Sequence, residues 1–242
     1  ILGAMYATGR SVARDDAESV RLYRLAAEQG HAPAQYNLGA MYAAGRDVPR
    51  NDAEAVRLYR LAADQGYAPA QHRLGVVFQN SRDAAGAIRL YRLAADQGYA
   101  PAQATLGSIY LNREPPVYTE AARILRLAAD QDDPRGTRIL ASLYSRGHGV
   151  PRDLAESIRL DRRATELGDS FAPYMLGAMY AEGRGVPRDT VQAAKFLHIA
   201  ADRGETLAQA QLGRMYESGY GVPQDDAKAA GLYRLAVRTG FP

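Results

Sequence analysis

The chain contains no cysteine, which removes disulfides, thiolate metal sites and a cysteine nucleophile at once. It contains only two lysines, Lys195 and Lys228, so nearly all of its positive charge is arginine. Neither sign of charge dominates: 30 basic residues face 27 acidic ones, for a formal net charge of +3. No apolar run approaches the ~18 residues that a membrane-crossing helix needs, so no membrane insertion is predicted. No signal-peptide pattern stands at the start. The H-E-x-x-H and G-x-S-x-G motifs and the glycine-rich phosphate loop are missing as well, and no catalytic, cofactor-binding or metal-binding residues are predicted. Of the four histidines, His31, His72, His148 and His198, none stands at metal-ligand spacing from another.

What the sequence does have is repetition. Leu-Gly recurs at Leu2, Leu38, Leu74, Leu106, Leu176 and Leu212, with Leu140-Ala141 as the missing member, and successive leucines are 36, 36, 32, 34, 36 and 36 residues apart. A second marker keeps the same register: Ala26, Ala62, Ala94, Ala128, Ala164, Ala200 and Ala236. A period of this length signals a repeat architecture in which each unit is one supersecondary element. The repeats run over about 1–30, 31–66, 67–98, 99–132, 133–168, 169–204 and 205–240.

Within residues 31–66, Ala34, Leu38, Met41, Tyr42 and Gly45 fall at spacings of three and four, which places them on one face of a helix starting near Pro33. The position of Tyr42 is aromatic in every repeat: Tyr6, Phe78, Tyr110, Tyr144, Tyr180 and Tyr216. Gly39 and its equivalents are expected to let the partner helix approach closely. A second helix is predicted over Asp52 to Asp64, with Ala55, Leu58, Tyr59 and Ala62 as its apolar stripe and Gly66 as its stop. Gly30, Gly98, Gly168, Gly204 and Gly240 repeat that stop, and Asp132 departs from it.

The two helices are joined by Gly-Arg-Gly-Val-Pro-Arg-Asp at Gly183 to Asp189, with close copies at Gly147 to Asp153 and Gly219 to Asp225. The proline stops the first helix and the aspartate can cap the second. This loop loses four residues in the third repeat and two in the fourth, which accounts for the short spacings without shortening a helix. A lone helix pair cannot bury its apolar face, so stacking must complete the core. The reading is all-α: one α/α solenoid over 1–242 with no internal boundary, its curvature altered at 111–119 and 131–137.

These residues, Leu-Gly, Tyr, Gly-x-Gly-Val-Pro-x-Asp, Ala and the closing Gly in fixed register, resemble the Sel-one-like repeat, a relative of the tetratricopeptide repeat. The resemblance implies a right-handed superhelix of about seven helix–turn–helix units and a role as adaptor, scaffold or signalling regulator. A cysteine-rich bacterial branch of the family carries a disulfide in each repeat, and members of it bind or hydrolyse β-lactams. The lack of cysteine separates this chain from that branch, and no serine here stands beside a plausible base in a recognisable motif. Heavy arginine and alanine use points to a GC-rich bacterial source. The sequence opens inside a repeat, at Ile1-Leu2-Gly3, so a natural start upstream is expected; envelope, secreted and cytoplasmic locations all remain compatible.

By resemblance to tetratricopeptide solenoids, the outward positions of the first helices line a concave groove. Most of them are small: Ala40, Ala43, Ala44, Ala104, Ser108, Ser142, Ser145, Ala178 and Ala181. Larger residues stand among these: Tyr36, His72, Arg73, Arg138, Arg146, Tyr174, Glu182, Arg214 and Glu217. Tyrosine and arginine dominate binding hot spots, so a protein or peptide partner is expected there. The second helices carry recurring arginines, Arg21/Arg24, Arg57/Arg60, Arg89/Arg92, Arg123/Arg126 and Arg159/Arg162, with acids beside them. Pairs four apart, Arg24 with Glu28 and Arg60 with Asp64, are predicted to tie each helix together. Nucleic acid needs an unopposed basic stripe and is not the expected partner.

Overall fold

The computed structural model describes residues 2–9 and 11–240, which form fourteen α-helices and no strand. Ile1, where the sequence opens inside a repeat, lies outside the described residues, as do Arg10, Phe241 and Pro242. The first helices of the seven pairs are α1 (Leu2–Thr8), α3 (Ala32–Ala44), α5 (Ala68–Asn80), α7 (Ala100–Leu111), α9 (Pro134–Arg146), α11 (Ala172–Glu182) and α13 (Thr206–Ser218). The second helices are α2 (Asp16–Glu28), α4 (Asp52–Asp64), α6 (Ala84–Asp96), α8 (Tyr118–Ala129), α10 (Leu154–Glu166), α12 (Thr190–Asp202) and α14 (Asp226–Arg238). Two compact units, residues 1–106 and 107–242, divide the chain inside α7. Among the described residues no helix is long and apolar enough to cross a membrane.

Six of the seven second helices start on a side-chain cap, and α8 starts on Val117 without one. Asp15, Asn51, Asp83, Asp153, Asp189 and Asp225 accept from the backbone N–H three residues on, at 2.9–3.0 Å, which satisfies a donor the helix leaves orphaned. First helices α3, α5, α9 and α11 carry proline in the first turn, where the missing N–H has no partner to lose. The loop between the two closes in the same way whatever its length: the backbone N–H of the cap residue donates to the carbonyl of the aromatic residue, as in Asn51 to Tyr42 at 3.0 Å, Asp83 to Phe78 at 2.9 Å and Asp153 to Tyr144 at 2.9 Å. The short third loop therefore leaves α5 and α6 at 13 residues each, while α7 and α8 have 12.

Two details differ from the sequence reading. Gly45 is not part of the apolar stripe; it is exposed beyond the helix as its C-cap, at φ 62°, a conformation a Cβ disfavours. Asp132 takes the same left-handed turn, at φ 59°, that glycine takes in the other repeats. Its short polar side chain tolerates that region better than most.

The core is a series of clusters, each drawn from successive helices. One joins Val20 and Ala27 of α2, Leu38 and Met41 of α3, the loop residue Val48 and Leu58 of α4. Within a pair, the first-helix glycine lies on a large second-helix side chain: a Cβ on Gly75 would come within 2.7 Å of Tyr91 Cε1, and one on Gly177 within 2.8 Å of Leu197 Cγ. Tyr59, Tyr91, Leu125 and Leu197 fill this position and are buried. In the fifth repeat both partners change together: Ala141 replaces the glycine and Asp161 the large side chain.

Successive repeats are also tied by a polar ladder. Gln35 Nε2 donates to Ala27 O at 3.2 Å, and Gln65 Nε2 donates to Gln35 Oε1 at 2.7 Å. Gln71 and Gln97 repeat the arrangement at 3.3 Å and 2.7 Å. In the sixth repeat Pro173 stands where the glutamine would be, and the carbonyl it leaves, Thr165 O, is taken by the Arg203 guanidinium at 2.9 Å. A buried carbonyl must find a donor, and here a substitution elsewhere in the repeat supplies it.

Candidate functional site

The outward positions of the first helices fall into two physical groups. Tyr36, His72, Arg138 and Tyr174 occupy one equivalent position, two residues before the leucine, and all four are half-buried. Tyr36 packs on Tyr59 and Tyr67 with ring centroids at 5.8 and 5.6 Å. His72 packs on Tyr91 and Tyr99 at 5.4 and 5.6 Å, and its Nε2 lies 3.2 Å from Thr105 Oγ1. Arg138 Nε donates to Asp169 Oδ2 at 3.1 Å, with the guanidinium 5.3 Å from the Phe171 ring centre. Tyr174 lies against Phe171 at 5.2 Å and against the cluster of α12 and α13. These four side chains hold one repeat to the next while keeping part of their surface in solvent.

Arg73, Arg146, Glu182, Arg214 and Glu217 are exposed. Glu182 pairs with Arg184 at 2.6 Å, and Glu217 accepts from Tyr233 Oη at 2.7 Å. Between the charges of α9, α11 and α13 lie the half-buried small residues Ser142, Ser145, Ala178 and Ala181. The face deepens beside α13 into a depression of about 350 Å³ lined by Ala181, Gln211, Arg214, Met215, Ser218 and Tyr220. Arg188 of the preceding loop stacks 5.5 Å from the Tyr220 ring centre and donates to its hydroxyl. Gln211 and Tyr220 were not singled out from the sequence; Tyr220 is the variable residue of its Gly-x-Gly-Val-Pro loop, and only the fold brings that loop beside the helix face.

The second-helix face is charge-paired, but not by the expected pairs. Arg21, Arg57, Arg123 and Arg159 each bind the glutamate three residues before, Glu18, Glu54, Glu120 and Glu156, at 2.7 Å. These bonds hold the four carboxyls below the usual glutamate range. Arg24, Arg126 and Arg162 turn instead to the tyrosine hydroxyl of the next first helix, Tyr42, Tyr144 and Tyr180, and His198 meets Tyr216 in the same way at 3.0 Å. The aromatic position and the arginine position, 18 residues apart, are thus one contact, and Arg24 turns to Tyr42 rather than to Glu28; Arg60, which has Phe78 at that position, makes no ion pair with Asp64. Among the described residues no group of three or more His, Asp or Glu is placed to hold a metal ion.

One buried group breaks the pattern. Asp161 of α10 is 3% exposed. Burial pushes its carboxyl up to about 8, with Arg138 opposing and Asp169 adding to that rise. One turn before it, the buried Ser157 hydroxyl has no hydrogen-bond partner.

Helix pairs closed by one loop bond and joined by a buried glutamine ladder define an α-helical repeat protein. Family comparison gives the kind of repeat: the Sel1 repeat matches residues 1–31, 32–67, 68–99, 100–133, 135–169, 170–205 and 206–240. The chain belongs to the Sel1 repeat family, whose members typically serve as protein-interaction scaffolds. It is similar to a solved Sel1 repeat protein from Oxalobacter formigenes, at 33% identity and TM-score 0.78, over 99% of this chain and 71% of that one. It is also similar to a protective antigen of uropathogenic Escherichia coli with the same repeat fold, at 32% identity and TM-score 0.76 over 92% of this chain. The chain spans about half of that antigen's length, 49%. An immunity protein from Pseudomonas aeruginosa shares the fold at 20% identity and TM-score 0.60, over 87% of this chain and 83% of that one. Comparison with curated proteins finds no match.

Proposed function

We propose that the chain is a protein-binding scaffold, and that an extended segment of a partner protein lies along the first-helix face. The observation that carries this is the floor of Ser142, Ser145, Ala178 and Ala181 between the exposed charges of α9, α11 and α13. Small residues let a partner backbone approach, and Arg146, Glu182, Arg214 and Glu217 offer charges of both signs to fix its register. Tyr36, His72, Arg138 and Tyr174 supply amphipathic side chains whose buried parts are already ordered, so binding loses little rotamer entropy there. In the unit of residues 1–106 the same face carries Tyr36, Arg73 and His72 around Ala40 and Ala43.

The test compares capture of proteins from a bacterial lysate by three baits: the unaltered chain, an Arg146→Glu/Arg214→Glu variant, and an Arg60→Glu/Arg89→Glu variant of the second-helix face. All four residues are exposed, so folding should be retained. A partner held by the first and third baits and lost by the second supports the assignment. Hot-spot arginines are worth ~2 kcal/mol or more, or roughly 30-fold in affinity. A partner lost only with the second-helix variant refutes it.

A further inference from the structure

The position that takes Tyr59, Tyr91, Leu125 or Leu197 in other repeats takes a carboxyl in the fifth, and it remains buried there. Its charged surroundings are few. The ionisable residues of the two helices packed on α10 are Arg135, Arg138, Tyr144 and Arg146 of α9 and Tyr174, Tyr180 and the exposed Glu182 of α11, with Asp169 in the turn before α11. Arg163 points away, held by Asp132 at 2.8 Å on the surface. Arg203 reaches the same turn but spends its donors on the carbonyls of Thr165 and Asp169, at 2.9 and 2.8 Å. Arg138 and Asp161 occupy the positions that bring Tyr36 onto Tyr59 at 5.8 Å and His72 onto Tyr91 at 5.4 Å in earlier repeats, and Arg138 and Asp169 are the charges that act on Asp161.

Asp169 has two tasks. Its Oδ2 accepts from Arg138 at 3.1 Å, and its Oδ1 caps the start of α11 by accepting from the backbone N–H of Phe171 at 2.9 Å and of Ala172 at 2.7 Å. The ion pair is well covered, with side-chain exposures of 25% and 10%. With Asp161 neutral, one guanidinium serves one carboxylate and the buried group carries no net charge. With Asp161 ionised, two carboxylates share that guanidinium in a poorly hydrated place, and one buried negative charge is left uncompensated.

We propose that Asp161, Arg138 and Asp169 form a proton-operated joint between the fifth and sixth repeats, in which ionisation of Asp161 draws Arg138 from Asp169 and loosens the start of α11. The inference is independent of what binds the first-helix face. The direction of the pH dependence follows from linkage. Asp161 binds its proton more tightly folded, at about 8, than an ordinary aspartate does near 3.8. Its contribution to stability is therefore fully present below the unfolded value and declines as pH rises through the folded one, beyond which no more is lost.

The experiment compares the full chain with Asp161→Asn by urea denaturation from pH 5 to 9, and by hydrogen exchange at residues 169–176 corrected for the intrinsic rate. Relative to the Asn variant, the folding equilibrium of the unaltered chain should weaken by up to about tenfold per pH unit below pH 8, one pKa unit being one decade. Residues 169–176 should lose protection between pH 6 and 8.5 in the unaltered chain alone. If Asp161→Asn does not fold, Ala141→Gly/Asp161→Leu serves in its place, because it rebuilds the glycine-on-leucine contact of Gly177 and Leu197. Parallel pH curves overturn the proposal. So does a start of α11 that is equally protected at both pH values.

Discussion

Substituting Gly177 by alanine separates two opposite expectations about the repeat's most regular feature. Helix propensity alone favours the change by roughly 0.8–1 kcal/mol, since glycine is the poorer helix former. Packing opposes it: the new methyl would lie 2.8 Å from Leu197 Cγ, 3.0 Å from Leu197 Cδ2 and 3.3 Å from Ala193 O. Leu197 is fully buried and has no solvent to move into. Overpacking of this kind costs about 1–3 kcal/mol, so after the propensity gain a net destabilisation of up to about 2 kcal/mol is expected. In a chain of this size each kcal/mol lowers the melting temperature by roughly 2–4 °C. Leu197→Ala alone should cost about 2–5 kcal/mol through the cavity it leaves. In the double variant the added methyl occupies part of that cavity, so the two losses should fall short of their sum by roughly 1–2 kcal/mol, a coupling that a double-mutant cycle resolves. Urea midpoints followed by circular dichroism supply the four stabilities. A stabilising Gly177→Ala, or strict additivity, would show that the glycine is not there to admit the second helix.

Two further outcomes follow from the ladder and the caps. Gln71→Ala removes the donor to Ala63 O and the acceptor for Gln97 Nε2, and should destabilise by about 1–3 kcal/mol in thermal unfolding because buried polar groups are left unpaired. Asp189→Ala removes the acceptor of the Gln192 N–H at 2.9 Å, and should cost about 1 kcal/mol, which Asp189→Ser largely restores.

Most of the fold was legible because the repeat shows the same physics seven times. The spacing of Leu38, Met41 and Tyr42 located the first helices, and Asp52 to Asp64 proved to be the second helix residue for residue. Contacts between repeats were harder to read. Gln35, Gln71, Gln103 and Gln209 recur in register, yet their partners are backbone carbonyls eight residues back, and a carbonyl leaves no mark in a sequence. The arginines of the second helices were read against acids on their own helix, whereas Arg24, Arg126 and Arg162 reach across to the next repeat. Ala141 was visible as a departure, but Asp161 was not singled out, because its pairing with Ala141 required the knowledge that the glycine position lies over the second-helix core.

The face residues were legible as a set rather than by role. Outward positions on a helix can be counted from the apolar stripe, which gave Arg73, Arg146, Glu182, Arg214 and Glu217 as exposed. The same count cannot tell that Tyr36 packs on Tyr67 of the following turn, because that contact depends on how one pair sits on the next. Substituting Tyr36, Arg138 or Tyr174 would disturb junctions as well as any partner, so the exposed charges are the cleaner probes of binding.

The most direct measurement is site-specific photocrosslinking in a bacterial lysate, with a photoreactive residue at Ala178 or Ala181 on the first-helix face, or at Ala53 or Ala85 on the second. Crosslinking of one partner protein from positions 178 and 181, and not from 53 and 85, is the expected result. Crosslinking of a partner only from 53 and 85 would contradict the claim that the first-helix face is the binding surface.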